Sequence, residues 1–266
     1  MNNNKTLKAL FITAVLTVIV VLISSISAQP RTFADQSEQK IRSIIAEKGP
    51  SSIEGTMEGC YKQDHATARV CARGSGEGLL LWFGRENFAT AAAACENEVA
   101  RSARFPRFEC IQGIFKEHTL SATRAPGTPQ DTYYPCDVKG MPELWQRACY
   151  GQLPLAFYKN VRNDKTRGVA LCAEAPSANQ AACFDGLAKM LTPLMYGDFT
   201  EAKRSCTEIG AATNAAREEE CLISMAVETY AQGDSDFSYR LCEAVGSVNG
   251  RVLCGTYIQR AMLSSF

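Results

Sequence analysis

Twelve cysteines, spaced at regular intervals, constrain the fold of this chain more than any other feature. The first members of six successive pairs are Cys60, Cys95, Cys136, Cys172, Cys206 and Cys242. The second members are Cys71, Cys110, Cys149, Cys183, Cys221 and Cys254. The first members follow one another at 35, 41, 36, 34 and 36 residues, and the second members lie 11 to 15 residues after the first. Six units of roughly 36 residues, each with one cysteine pair, predict a repeat protein.

The unit around Cys206 shows what one repeat is expected to contain. Asp198 can cap a helix whose apolar face includes Phe199, Ala202 and Cys206. A second helix is predicted from about Asn214 to Tyr230, and the other pairs show a similar order of features. The predicted fold is therefore all-α: an α-solenoid of about six antiparallel helix hairpins with one disulfide per hairpin.

The expected pairing of the cysteines follows from hairpin geometry. The end of the first helix and the start of the second lie side by side at the turn, within the roughly 4.4–6.8 Å between Cα atoms that a disulfide needs. Pairing each second cysteine with the first of the next unit would close loops of 21 to 26 residues and leave Cys60 and Cys254 unpaired. We favour bonds within each unit, with the alternative left open.

The N-terminal segment, residues 1–28, predicts export from the cytoplasm. Lys5 and Lys8 precede an uncharged apolar run from Ala9 to Ile26, which ends in small residues up to Ala28. The run resembles a signal peptide, but it is also long enough to be an uncleaved membrane anchor through residues 9–26. Both alternatives place the remaining chain outside the cytoplasm, in the periplasm or secreted, where an even number of cysteines favours disulfides.

The rest of the chain divides into three predicted regions. Residues 29–59 form a short helix and linker, and residues 60–266 form the six repeats. An irregular insertion at residues 121–135, rich in proline and tyrosine, is either a binding loop, a hinge or a plain insertion. Gly74, Gly76 and Gly78 are predicted to form a turn, because the strand that would precede a dinucleotide site is missing.

Two groups of basic residues are candidate contacts for an anion or a partner. They are Arg101, Arg104 and Arg107 in the second unit, and Lys159, Arg162, Lys165 and Arg167 between the third and fourth units. Their positive charge could meet an acidic protein face, a lipid headgroup or a cell-wall polymer. Alternatively, both groups lie in turns that are exposed to solvent and contact no partner.

Little in the sequence predicts catalysis or a cofactor. The chain has only 2 histidines and no Cys-x-x-Cys motif, so neither a metal site nor a bound cofactor is predicted. The numbers of basic and acidic residues are equal, 28 and 28, which argues against a nucleic-acid partner. Candidate paired carboxylates for an enzyme acting on envelope polymer are Glu96 with Glu98, or the run Glu218–Glu220.

One known family carries a similar pattern. Gly197, Asp198 and Phe199, followed by Ala202 and Cys206, resemble the first helix of Sel1-like and tetratricopeptide-type repeats, above all their secreted bacterial cysteine-rich kind. The resemblance covers residues 60–266 and implies a non-enzymatic adaptor. We therefore expect an exported scaffold that binds a protein or peptide partner in the cell envelope, with an enzyme acting on envelope polymer as the alternative.

Overall fold

The computed structural model describes residues 33–63, 65–122, 133–157 and 165–263. The predicted signal or anchor, most of the insertion at 121–135, and the basic residues Lys159 and Arg162 lie outside the described residues. The chain divides into two compact units, Met1–Gln36 and Ser37–Phe266. Of the first unit only Phe33–Gln36, the beginning of a helix, is described, and the packed helices belong to the second unit.

The described residues form α-helices and short 3₁₀ helices, with no strand among them. The first six α-helices are α1 Phe33–Lys48, α2 Ile53–Tyr61, α3 His65–Phe83, α4 Phe88–Arg101, α5 Arg107–Ala122 and α6 Glu143–Tyr150. The other six are α7 Lys165–Glu174, α8 Ser177–Leu191, α9 Phe199–Ala212, α10 Ala215–Ala231, α11 Ser235–Glu243 and α12 Val248–Leu263. The 3₁₀ helices are Pro50–Ser52, Arg85–Asn87, Leu153–Phe157 and Thr192–Leu194. The predicted all-α class is confirmed.

Side-chain caps start the helices of the C-terminal part. The Asp198 carboxylate accepts a hydrogen bond from the backbone N–H of Glu201 at 3.0 Å, as the sequence predicts. Asn214 accepts in the same way from the N–H of Arg217 at 3.1 Å. Each cap satisfies one of the backbone donors that the first helical turn leaves unpaired. The two helices of the fifth unit, α9 and α10, therefore begin where their sequence signals place them.

Six disulfides close the six predicted cysteine pairs, and the pairing within each unit is confirmed. They are Cys60–Cys71, Cys95–Cys110, Cys136–Cys149, Cys172–Cys183, Cys206–Cys221 and Cys242–Cys254. Their Cα atoms lie 5.3 to 6.5 Å apart, inside the expected range. Five of the six bonds join consecutive helices, so each of those helix pairs carries its own covalent link.

The third unit departs from the expected hairpin. Cys136 lies in a run of turns that precedes α6, and not in a helix, so the described part of this unit has only the helix that carries Cys149. Tyr133 stabilises the turn segment, since its hydroxyl donates a hydrogen bond to the carbonyl oxygen of Leu171 at 3.2 Å. The prediction of a first helix in every unit is wrong at this position.

The second helices of the units contact one another in chain order. Helix α3 packs on α5, α5 on α6, α6 on α8, α8 on α10, and α10 on α12. All twelve cysteines are buried, together with aliphatic residues such as Ile114, Leu187 and Leu222. The disulfides are therefore part of the core, next to the apolar side chains that each helix pair buries.

The glycine string lies in the middle of α3, so the prediction of a turn at Gly74, Gly76 and Gly78 is wrong. A Cβ atom at Gly76 would lie 1.8 Å from the carbonyl oxygen of Cys110 in α5. One at Gly74 would lie 2.5 Å from the carbonyl oxygen of Glu38 in α1. The glycines are needed for helix packing, because only a residue without a side chain allows backbones to approach this closely.

Candidate functional site

A cleft between α2 and α4 brings together predicted and unpredicted residues. Its volume is about 340 Å³. Its apolar floor consists of Ile53, Met57 and Phe105, all of which are nearly fully buried. The other lining residues are Glu54, Glu58, Tyr61, Glu98, Arg101, Ser102 and Arg104. The site therefore lies where the first helices of two neighbouring units meet, beside the turn that joins α4 to α5.

The rims of the cleft carry opposite charges. Glu54 and Glu58 lie one helical turn apart on α2, and both are exposed. Arg101 and Arg104 lie at the end of α4 and in the turn after it, and both are exposed as well. Within the described part of the chain, neither acid on α2 forms an ion pair, and Arg104 forms none either. The acidic and basic rims therefore face the same space without closing on each other.

Glu98 is the one buried carboxylate of the cleft. Arg101 Nη1 donates to Glu98 Oε1 at 2.7 Å, although the arginine side chain itself is 59% exposed. Burial raises the pKa of Glu98, and the carboxylate of Glu54 raises it further, while the charge of Arg101 lowers it. Glu54 and Glu98 therefore interact electrostatically across the cleft, as two acids in one site do.

Tyr61 of α2 also lines the cleft. Burial raises the pKa of its hydroxyl, and the negative charge of Glu98 raises it further. The neighbouring Ser102 and the positive charge of Arg104 lower it. The ring of Tyr61 packs against the apolar core.

The remaining predicted basic residues lie elsewhere. Arg107 begins α5 and does not line the cleft. Lys165 and Arg167 are in α7 and not in a connection between units, which corrects their predicted placement. Lys165 Nζ lies 2.8 Å from Glu201 Oε1 and 2.7 Å from the hydroxyl of Ser205. The ammonium group of Lys165 therefore links α7 to α9, where a free anion contact was expected.

The predicted carboxylate pairs do not face each other. Glu96 accepts a hydrogen bond from Trp145 Nε1 at 3.0 Å, on a different side of α4 from Glu98. Glu218 accepts from the hydroxyl of Thr207 at 2.7 Å. Glu219 accepts from the N–H of Ser247 at 2.7 Å, and so ties α10 to the start of α12. The acids that share a cleft with Glu98 are Glu54 and Glu58, which the sequence reasoning missed.

A second group of charges lies between α1, α3 and α5. Lys116 Nζ lies 2.8 Å from Glu38 Oε1 and 2.8 Å from Glu77 Oε1, so one cation serves two buried carboxylates. Beside them, Arg42 Nη2 lies 3.0 Å from Glu117 Oε2. The side chains of the three glutamates are less than 10% exposed, whereas those of the two cations are 24% to 32% exposed.

The two buried carboxylates beside Lys116 have pKa values shifted in opposite directions. Burial raises the pKa of Glu77 to about 8, with Lys116 lowering it and the neighbouring Glu38 raising it. Burial also acts to raise the pKa of Glu38, but the charges of Lys116 and Arg73 hold that pKa below its ordinary value. Glu77 therefore keeps its proton to a higher pH than Glu38 does.

Neither a metal site nor a membrane span is found in the parts of the chain that the structure describes. No three histidine, cysteine or acidic residues there form a group that could hold a metal ion. No helix there combines the length and apolar character that crossing a bilayer requires. Comparison of the chain with protein-family models, curated proteins and solved structures finds no match.

Proposed function

We propose that the protein is an exported helical-repeat scaffold that binds a protein or peptide partner in the cell envelope and has no catalytic activity of its own. In this proposal the helix pairs stack as an α-solenoid of the Sel1-like or tetratricopeptide type. Residues 1–28 deliver the chain across the membrane and either are removed or stay as an anchor. Six intramolecular disulfides are compatible with such an oxidising, extracytoplasmic location.

The observation that carries the proposal is the cleft between α2 and α4. It has an apolar floor and charged rims, the combination that recognises a partner by shape and orients it by charge. The disulfides Cys60–Cys71 and Cys95–Cys110 link these two helices to their neighbours α3 and α5. A covalently restrained site loses little conformational entropy when a partner binds.

Site-specific cross-linking tests the proposal. A photoreactive residue replaces the exposed Ala103, which lies in the α4–α5 turn beside the cleft, and a control replaces the exposed Lys203 of α9. We expect position 103 to cross-link one defined envelope protein or peptide that position 203 does not capture, and the product to disappear when the disulfides are reduced. Identical products at both positions, or none at position 103, would contradict a scaffold that binds through this cleft.

A second candidate is an enzyme that acts on envelope polymer with paired carboxylates. The specific observation in its favour is that Glu54 and Glu98 line one cleft, where burial and, to a smaller extent, the charge of Glu54 raise the pKa of Glu98. Release of soluble fragments from purified cell-wall polymer distinguishes the two functions. The enzyme requires release by the wild type that Glu98→Gln abolishes, whereas the scaffold requires that neither protein releases fragments.

A further inference from the structure

We propose that the cleft between α2 and α4 binds a short peptide segment that carries both a positive and a negative group, such as a peptide with a free amino and a free carboxyl terminus. This inference rests on the proposed function, since it names the chemical class of partner for the same cleft. The cation would lie at Glu54 and Glu58, and the carboxylate at Arg104.

The two rims of the cleft carry charged side chains that form no ion pair among the described residues. Glu54, Glu58 and Arg104 form no ion pair within the described residues, although they line one cleft of about 340 Å³. A ligand with an anion alone would meet three carboxylates, and a ligand with a cation alone would meet two guanidinium groups. A ligand with both charges, oriented in one direction, matches both rims at once.

The ion pair between Arg101 and Glu98 determines the orientation in which the peptide binds. Arg101 is already hydrogen-bonded to Glu98, whereas Arg104 lines the cleft and forms no ion pair among the described residues. A guanidinium group holds a carboxylate through two parallel N–H donors. Arg104 is therefore the anchor for the negative end, and the two acids one helical turn apart on α2 are the anchor for the positive end.

The volume of the cleft and its apolar floor indicate the size of the peptide and the character of the part between its charged ends. A volume of about 340 Å³ lies near the small end of ligand pockets, which span about 300–1,000 Å³. Such a space suits a short peptide better than a folded domain. Met57 and Phe105 offer an apolar floor between the two charged rims. We therefore expect an aliphatic side chain between the charged ends to improve binding.

The test uses four forms of one peptide, Ala-Leu-Ala, titrated calorimetrically into the oxidised protein. The forms have both ends free, the amino end acetylated, the carboxyl end amidated, or both ends blocked. We expect the free peptide to bind best and each block to weaken binding by roughly tenfold, the effect of losing a hydrogen bond to a charged group. Equal binding of the free and the doubly blocked peptide, or binding of none of the four, would overturn the inference.

Two variants assign the ends of the peptide. Glu58→Gln should weaken binding of the free peptide. It should leave binding of the acetylated peptide unchanged, because that peptide has no charged amino group for Glu58 to contact. Arg104→Ala should weaken binding of the free peptide but leave binding of the amidated peptide unchanged. Matched controls are Glu47→Gln on α1 and Arg107→Ala on α5, which are exposed and do not line the cleft. If the controls weaken binding as much as the cleft variants do, the peptide binds elsewhere and the inference is wrong.

The outcomes separate this inference from the proposed function. If position 103 captures a partner but no form of the peptide binds, the proposed scaffold function is supported and the proposed class of ligand is wrong. If the free peptide binds with the expected dependence on both ends but position 103 captures nothing from the envelope, the cleft is a peptide site and the scaffold proposal fails.

Discussion

A Cβ atom at Gly76 would lie 1.8 Å from the carbonyl oxygen of Cys110, so the backbones of α3 and α5 touch directly at the second disulfide. The contact is reciprocal, since a Cβ atom at Gly113 of α5 would lie 2.0 Å from the carbonyl oxygen of Arg73 in α3. Two glycines on facing helices thus permit an approach that any side chain would prevent. The same approach places Glu77 and Lys116 close enough to pair.

Replacing Gly76 with alanine should destabilise the protein severely. The added methyl group overlaps a backbone carbonyl that cannot rotate away, so α3 and α5 must separate. We expect a loss of about 3 kcal/mol or more in the free energy of unfolding, measured by urea denaturation monitored by circular dichroism. The control is Gly59→Ala in α2, where nothing lies within 4 Å of the added Cβ atom. That variant should be more stable than the wild type by about 0.5–1 kcal/mol, because alanine favours the helix.

The stability of the protein should depend on pH through Glu77. Its pKa is about 8 in the folded protein, against about 4.3 in an unfolded chain. Between these two values the folded state binds more protons than the unfolded state, so the contribution of Glu77 to the free energy of unfolding falls as pH rises from about 4.3 to about 8. Glu38 contributes with the opposite sign, since its lowered pKa adds stability that is lost as pH falls below its ordinary value.

The variant Glu77→Gln isolates this effect. Its amide cannot ionise, so we expect the variant to gain stability relative to the wild type as pH is raised from about 5 to about 9. Denaturant titrations across this range measure the difference. Glu47→Gln, an exposed substitution on the same α1 helix as Glu38, should follow the wild-type profile. A constant difference between Glu77→Gln and the wild type at every pH would show that Glu77 keeps an ordinary pKa.

Lys165 should matter for stability and not for partner binding. Its ammonium group contacts Glu201, Ser205 and Glu208 of α9, and its side chain is only 17% exposed. Lys165→Met should therefore lower the free energy of unfolding by about 1–3 kcal/mol, because partly buried acceptors on α9 lose a charged donor. Lys203→Met, an exposed change on α9, should have no measurable effect. Reduced cross-linking at position 103 without any loss of stability would assign Lys165 to the binding surface instead.

Local signals in the sequence predicted the paired helices well. The caps Asp198 and Asn214 lie at the starts of α9 and α10, and the spacing of cysteines led to the pairing within each unit. These features depend on neighbours close along the chain. The third unit was predicted less well, because the segment around Cys136 keeps the cysteine spacing but forms turns where the other units have a first helix.

Features that depend on distant parts of the chain were missed. The string Gly74-x-Gly76-x-Gly78 is predicted to form a turn, yet it is helical, because tertiary packing on α1 and α5 outweighs the low helix propensity of glycine. In the cleft, the basic residues were candidates, but nothing local indicated that Glu54 and Glu58 would face them from more than 40 residues earlier in the chain. The only available signal was two acids spaced one helical turn apart just before Cys60.

The central claim is that each unit is closed by its own disulfide, and mass mapping of the native protein tests it most directly. Purified protein is alkylated, digested without reduction and analysed for linked peptides. We predict six bridges, each joining cysteines 11 to 15 residues apart, with Cys95 linked to Cys110 and no free thiol. Linked peptides from different units, such as Cys71 with Cys95, or a majority of alkylated cysteines would contradict the account.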